Sequence, residues 1–168
     1  MRKLSKLAPW VWVASGHLVG CHVLGLVPDM RTPADRAREI EPRCNDFPVE
    51  KAGELLVPRA IDSVEPAYSY VKSGPNNPEA RLRGARIHVQ PRPGMSRESI
   101  ARTLECHEVR VTLGREQAPA DDPYVLPDGW VDLDVDSERD GFVVNARTDE
   151  FDDARRVLER ARRFVGAR

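Results

Sequence analysis

Apolar residues recur with strand and helix periods most clearly between residues 82 and 165. Ala85, Ile87 and Val89 alternate with polar residues, which predicts a half-buried strand. A helix is predicted next, because Ser96 can cap its start and a glycine follows its last apolar position. The apolar stripe of this helix comprises Ile100, Leu104, His107 and Val111.

The same region ends in a predicted β-hairpin and a second helix. Residues 131–136 alternate in polarity, residues 137–141 contain turn-forming residues, and residues 142–146 return as the partner strand. Thr148 or Asp149 is the expected N-cap of the last helix. The apolar stripe of that helix is formed by Phe151, Ala154, Leu158, Ala161 and Val165.

This order of elements predicts an α+β fold. The β-α-β-β-α order over residues 82–165 resembles that of ferredoxin-like sandwiches, in which two helices pack on one face of a small antiparallel sheet. The resemblance concerns topology and implies no function. We expect a single domain over residues 48–168.

The patterns before residue 82 are weaker. Residues 21–47 are expected to be a charged, solvated linker, with a short helix over residues 34–41 as the alternative. Residues 49–56 predict a short helix. Residues 60–71 predict two strands separated at Pro66, because proline cannot donate to a sheet ladder.

The first 28 residues have the pattern of an export signal. A basic start is followed by residues 7–27, which contain no formally charged side chain. Within this segment Leu18-Val19-Gly20-Cys21 resembles the lipobox of bacterial lipoproteins. The resemblance implies a signal peptide at residues 1–20 and a mature chain that begins with a lipid-modified, palmitate-bearing Cys21.

The lipobox resemblance implies a location in the cell envelope. A lipid would hold the chain on a membrane, with its domain facing the periplasm or the extracellular side. The alternative is that residues 7–27 remain as an uncleaved anchor, since about 20 apolar residues suffice to cross a bilayer core. Both interpretations leave most of the chain outside the cytoplasm.

The charge balance excludes one class of partner. Lys and Arg number 26 and Asp and Glu number 27, a net charge of −1. Loss of Arg2, Lys3 and Lys6 with a signal peptide would leave 23 cations against 27 anions. Nucleic-acid binding requires a basic excess that this chain lacks. We therefore expect a membrane and an envelope protein or component as partners, and no nucleic acid.

The chain has three cysteines. If Cys21 carries lipid, Cys44 and Cys106 remain as an even pair in a compartment where disulfides persist. Cys106 precedes His107, so a thiolate nucleophile or a metal site is one interpretation of this run. Adjacent helical residues point about 100° apart, so Cys106 and His107 cannot easily contact each other or one metal ion. The favoured interpretation is therefore a Cys44–Cys106 disulfide and a histidine in the core. Two free thiols remain the alternative.

An acidic run in the predicted hairpin invites a calcium interpretation. The alternation of Asp132, Asp134 and Asp136 is typical of the start of an EF-hand loop. That loop requires glycine where Ser137 stands and glutamate where Val143 stands. A polar sheet face is therefore the favoured interpretation.

His88 lies on the polar side of the first predicted strand, beside Arg86. If this strand neighbours the strand at residues 131–136, both side chains would face the aspartates as cross-strand ion pairs. The same face could hold a small ligand or a divalent metal weakly. The sequence contains no recognised nucleotide-binding or cofactor-binding motif, and we expect no cofactor.

Together these features favour a non-catalytic binding module tethered to a membrane. The irregular segment at residues 115–130 contains Tyr124 and Trp130 and is the expected interaction surface. One alternative is a small periplasmic module that binds a ligand or divalent metal through its Asp-rich sheet face or His88. A second alternative is a thiol-dependent enzyme at Cys106.

Overall fold

A computed structural model describes residues 31–48, 50–72 and 78–166. These residues belong to one compact unit. Cys21 and most of the predicted turn at residues 73–78 lie outside the described residues. In the ranges described, no helix has the length and apolar composition needed to cross a bilayer.

The described chain combines four helices with four antiparallel strands in an α+β fold, which confirms the predicted class. The elements are α1 (Pro33–Ile40), α2 (Glu50–Leu55), β1 (Ile61–Lys72), β2 (Pro78–Val89), α3 (Arg97–Thr112), β3 (Asp132–Glu138), β4 (Gly141–Arg147) and α4 (Phe151–Gly166). Short 3-10 turns at Glu41–Arg43 and Pro58–Ala60 follow α1 and precede β1.

The strands form one antiparallel sheet in the order β1-β2-β4-β3. β4 lies between β2 and β3, so the expectation that residues 85–90 and 131–136 are direct neighbours is wrong. The hairpin partner of β3 occupies that position instead. β2 and β3 consequently run in the same direction, and α3 connects them across one face of the sheet.

Both long helices pack on the same face of the sheet. The core comprises Ile61, Ala85, Ile87, Val135, Val144 and Ala146 from the sheet and Ile100, Leu104, Val157, Leu158, Ala161 and Phe164 from the helices. Phe151, expected to begin the apolar stripe of the last helix, is 53% exposed. Val157 and Phe164 complete that stripe at helical spacing.

β1 runs through Pro66 without a break, contrary to the predicted division into two strands. Pro66 pairs with Ala85 of β2. Because β1 is an edge strand, the position that lacks an N–H can face away from the sheet. The register between β1 and β2 nevertheless shifts at two points, as at β-bulges.

Residues 33–47 pack on the domain, so the solvated-linker interpretation is wrong for them and the helix alternative is the one observed. The hydroxyl of Thr32 accepts a hydrogen bond from the Asp35 N–H at 3.2 Å, and the Asp35 carboxylate accepts one from the Thr32 N–H at 3.1 Å. This capping box starts α1. Ala37 is fully buried, and α1 contacts α3. The linker prediction rested on the charged composition of this segment, in which α1 buries only the small residue Ala37.

The predicted ends of α3 are confirmed. Ser96 caps its first turn through its side chain. Gly114, with a φ of +69°, donates a hydrogen bond to the Val111 carbonyl at 2.9 Å, and Arg115 donates one to the Arg110 carbonyl at 2.8 Å. These two bonds form a Schellman motif, which satisfies the last carbonyls of the helix.

Candidate functional site

Cys44 and Cys106 form a disulfide between the 3-10 turn after α1 and the middle of α3. Their Cα atoms are 5.3 Å apart and their sequence separation is 62 residues. Arg110 supports the same junction by donating hydrogen bonds to the carbonyl oxygens of Cys44 at 3.2 Å and Phe47 at 2.5 Å. The buried, bonded Cys106 offers no free thiol of the kind that the thiol-enzyme hypothesis requires.

His107 is fully buried between two carboxylates. Its Nδ1 lies 2.8 Å from Glu116 Oε1, and its Nε2 lies 2.7 Å from Asp122 Oδ2. Burial by itself lowers the pKa of His107, but the hydrogen bonds and charges of Asp122 and Glu116 outweigh it, so the pKa is raised. A ring that donates from both nitrogens is an imidazolium. This arrangement fits a structural ion cluster.

Asp122 connects three parts of the fold. Its carboxylate accepts from His107 and, through Oδ1, from the Tyr124 N–H at 2.9 Å, while its carbonyl accepts from Arg160 Nε of α4 at 2.9 Å. Tyr124 is itself fully buried. The segment at residues 115–130 therefore packs inward at Tyr124, and this residue cannot present the interaction surface expected of it.

Glu108 is a second buried ionisable side chain on α3. It is 1% exposed, and its Oε1 accepts a hydrogen bond from the Val131 N–H at 2.7 Å. Burial raises the pKa of Glu108 well above its ordinary value. Glu108 thereby fastens the chain entering β3 to the helix α3. Periodicity did not identify Glu108, Glu116 or Asp122 as partners, because two of them lie in an irregular segment.

His88 joins a charged cluster on the sheet face that the helices leave uncovered. Its Nδ1 lies 3.4 Å from Glu138 and its Nε2 lies 3.8 Å from Glu65. Arg86 contacts the same Glu138 at 3.1 Å. The predicted pairing with the aspartates is wrong: Arg86 and His88 contact glutamates of the two edge strands, Glu65 of β1 and Glu138 of β3.

The three aspartates of β3 each have a different protein partner. These contacts are Asp132 with Arg36 at 3.5 Å, Asp134 with Arg147 at 3.9 Å and Asp136 with Asn145 at 2.9 Å. In the part of the chain that the structure describes, no group of three or more His, Cys, Asp or Glu side chains is placed to hold a metal ion. This arrangement is that of a polar sheet face.

A groove of about 560 Å³ lies between α3 and the start of β3. Its lining residues are Ile40 of α1, Glu98, Ala101, Arg102, Glu105 and Glu108 of α3, and Trp130, Val131, Asp132 and Leu133 at the start of β3. Four carboxyl groups and one guanidinium therefore surround an apolar floor. Of the two residues expected in an interaction loop, Trp130 lies at this groove.

A second surface is the end of the β1–β2 hairpin. β4 pairs with β2 only from Gly84 onward, so residues 68–72 and 78–83 form a two-stranded extension, which we call the arm. Tyr68 is 54% exposed and Tyr70 is 74% exposed. They lie on one face of the arm, opposite Leu82 and Ala80 of the partner strand.

Gly84 marks the point where the arm leaves the sheet. Its φ is +139°, and a Cβ there would lie 2.1 Å from the carbonyl oxygen of Ala146, a contact that no side chain can make. The arm is also held from below by Asp149, whose carbonyl accepts from Arg81 at 2.9 Å and whose carboxylate pairs with Arg83. The exposed Phe151 follows two residues later.

Comparison of the chain with known protein families, with characterised proteins and with solved structures finds no match.

Proposed function

We propose that this protein is an envelope lipoprotein whose domain acts by binding another envelope protein. Two features support the location: the Leu18–Cys21 motif with its preceding apolar segment, and a disulfide between the remaining two cysteines. Disulfides persist outside the cytoplasm and are rare within it. The lipid on Cys21 would hold the mature chain at the membrane surface.

The arrangement of the sheet supports a finer statement of the fold. We propose a ferredoxin-like sandwich in which β2, α3, β3, β4 and α4 supply the β-α-β-β-α order. β1 would take the remaining edge position, beside β2. A fold of this kind hosts many functions, so the function is argued from its surfaces.

The observation that carries the binding function is the exposure of aromatic side chains on the arm. Among the described residues the large apolar side chains that remain exposed are Tyr68, Tyr70, Val71 and Phe151, three of them on the arm and the fourth beside its support. Clustered exposed apolar side chains mark interaction sites. Tyrosine is enriched at the energetic centres of protein interfaces, because its ring is large and its hydroxyl tolerates both water and a partner.

A photocrosslinking experiment tests this function in intact cells. Tyr70→p-benzoylphenylalanine places the crosslinker on the tyrosine face, and Val71→p-benzoylphenylalanine places it on the opposite face of the same strand, where the native side chain is 52% exposed against 74% for Tyr70. We expect a discrete higher-mass adduct from position 70 and a much weaker one from position 71. No adduct at position 70, or equal adducts at both positions, would contradict binding through this face.

A paired substitution checks that the adduct reflects affinity. Tyr68→Ser with Tyr70→Ser should abolish co-purification of the crosslinked partner, while Val71→Ser should leave it unchanged. Both variants should retain the Cys44–Cys106 disulfide and the wild-type circular dichroism, because exposed side chains contribute little to stability.

A further inference from the structure

The outer edge of β3 combines an open sheet edge with an adjacent groove. Within the described ranges β3 pairs with β4 alone, and its other edge has no strand partner. An edge strand presents a row of unpaired N–H and C=O groups that an extended chain can bind. The groove between α3 and residues 130–133 runs beside the beginning of that edge.

The other edge of the sheet is less suited to such pairing. β1 contains Pro66, which lacks an N–H, and its register with β2 shifts twice. Proline and bulges are two of the devices by which proteins block unwanted pairing at a sheet edge, and charged side chains are another. β3 has no proline and no bulge, since its register with β4 is continuous from Asp132 to Glu138, and its carboxylates limit which strands can pair with it.

The charges on β3 select the kind of strand that can join it. Asp132, Asp134, Asp136 and Glu138 alternate along the seven residues of the strand. Like charges placed opposite each other across a strand pair are destabilising, so a second copy of this edge is disfavoured. A strand with cations at alternate positions would face the carboxylates favourably.

The groove lies on the α3 side of β3, where Val131 and Leu133 also lie, whereas Asp134, Asp136 and Glu138 lie on the opposite face of the strand. An added strand that aligns its cations with those carboxylates therefore turns its alternate side chains toward the groove. Ala101 and Leu133 supply apolar contact for these side chains. Glu98, Glu105 and Asp132 at the groove are already paired with Arg97, Arg43 and Arg36 at 3.2 to 3.5 Å.

We propose that β3 and the α3–β3 groove bind an extended peptide segment that carries Lys or Arg at alternate positions, added to the sheet as a fifth strand. Backbone hydrogen bonds along β3 would supply affinity, and the carboxylates would supply selectivity. The groove volume of about 560 Å³ fits the range of about 300–1,000 Å³ found for ligand sites. This site is separate from the arm, so either proposal can fail alone.

The test uses the full chain and three synthetic heptapeptides. The first alternates lysine and valine, beginning and ending with lysine; the second replaces its lysines by glutamates; the third is the lysine peptide with alternate backbone nitrogens methylated. Binding is measured by calorimetry up to about 1 mM peptide. Hydrogen exchange followed by mass spectrometry reports the backbone amides of residues 132–138.

Strand addition predicts a specific set of results. The lysine peptide binds and slows exchange in residues 132–138, while the glutamate peptide and the methylated peptide do not bind. Asp132→Asn, Asp134→Asn and Asp136→Asn together weaken binding about tenfold. As matched controls, Glu79→Gln, Glu150→Gln and Asp152→Asn together, and Tyr68→Ser with Tyr70→Ser, leave binding within about twofold.

Two results would overturn the proposal. The first is no binding of the lysine peptide to a protein whose circular dichroism and disulfide are native. The second is binding that survives backbone methylation and leaves exchange in residues 132–138 unchanged, because such binding would be electrostatic attraction without a strand.

Discussion

At the scale of single residues, consecutive positions of α3 hold two buried ionisable groups that both favour the protonated state. Burial lowers the pKa of His107, but the hydrogen bonds and charges of Asp122 and Glu116 raise it overall, and burial raises the pKa of Glu108. Both groups bind to the segment that leads into β3. The hydrogen bonds of these two side chains therefore contribute to the order of the candidate groove.

His107 should make the domain less stable as pH rises. Its folded pKa is raised above the ordinary value of 6.5, so its stabilising contribution is complete below that pH and is lost as pH rises through the folded pKa. His107→Gln should reduce the free energy of unfolding by about 3 kcal/mol at pH 6, and by less at pH 9. Urea denaturation between pH 5 and about pH 9 measures this. His88→Gln, the control on the open sheet face, should change stability little, and an equal loss in both variants would contradict the structural role of His107.

Glu108→Gln should stabilise the protein at neutral pH. The amide keeps an oxygen for the Val131 N–H and cannot ionise, whereas the buried acid must either hold its proton or place a charge in the interior. The raised pKa means that the acid loses stability as pH rises above its ordinary value of 4.5. We expect a gain of about 1 kcal/mol at pH 8 that disappears near pH 4. Glu105→Gln is the control, and a loss of stability at pH 8 in the Glu108 variant alone would contradict the assignment.

At the scale of elements, helices and strands with a clear apolar period were predicted from the sequence. Elements whose position depends on tertiary contacts were not. α3, α4 and the β3–β4 hairpin follow from apolar spacing, and the Ser96 cap and Gly114 stop were visible as single residues. α1 was ambiguous because it buries only Ala37 and is held by a covalent link to α3. Pro66 predicted a break because sequence alone does not show that β1 is an edge strand.

The disulfide is the element whose removal has the clearest expected result. In a Cys21→Ser background, Cys44→Ala with Cys106→Ala should lower the free energy of unfolding by about 4 kcal/mol, the chain-entropy value for a loop of 62 residues. Reducing the intact protein should give a similar loss. As the control, reductant should leave the free energy of unfolding of the Cys44→Ala, Cys106→Ala variant unchanged. A loss of less than about 1 kcal/mol would show that packing alone holds α1 on α3.

At the scale of the whole molecule, one sheet separates a packed face from a charged face and ends in two distinct edges. The α+β class and the helices on one face were predictable, because they follow from periods of 3.6 and 2 residues. The sheet order was not, since the position of β4 between β2 and β3 depends on long-range pairing. Apart from Trp130, the residues of the candidate surfaces were missed for the same reason. The arm exists because β2 extends beyond the end of its pairing with β4, and the groove forms where α3 meets the edge strand.

The whole-molecule proposal of a membrane-tethered, disulfide-closed binding module is tested most directly by the mass of the protein made in a bacterial host. Intact mass spectrometry and detergent partitioning are applied to the wild type and to Cys21→Ser. We predict loss of residues 1–20, a lipid mass on Cys21, a mass two hydrogens short for the Cys44–Cys106 bond, and partitioning into detergent; Cys21→Ser should lose the lipid and the processing. A full-length, unlipidated wild-type chain, or one with free thiols at Cys44 and Cys106, would contradict this proposal.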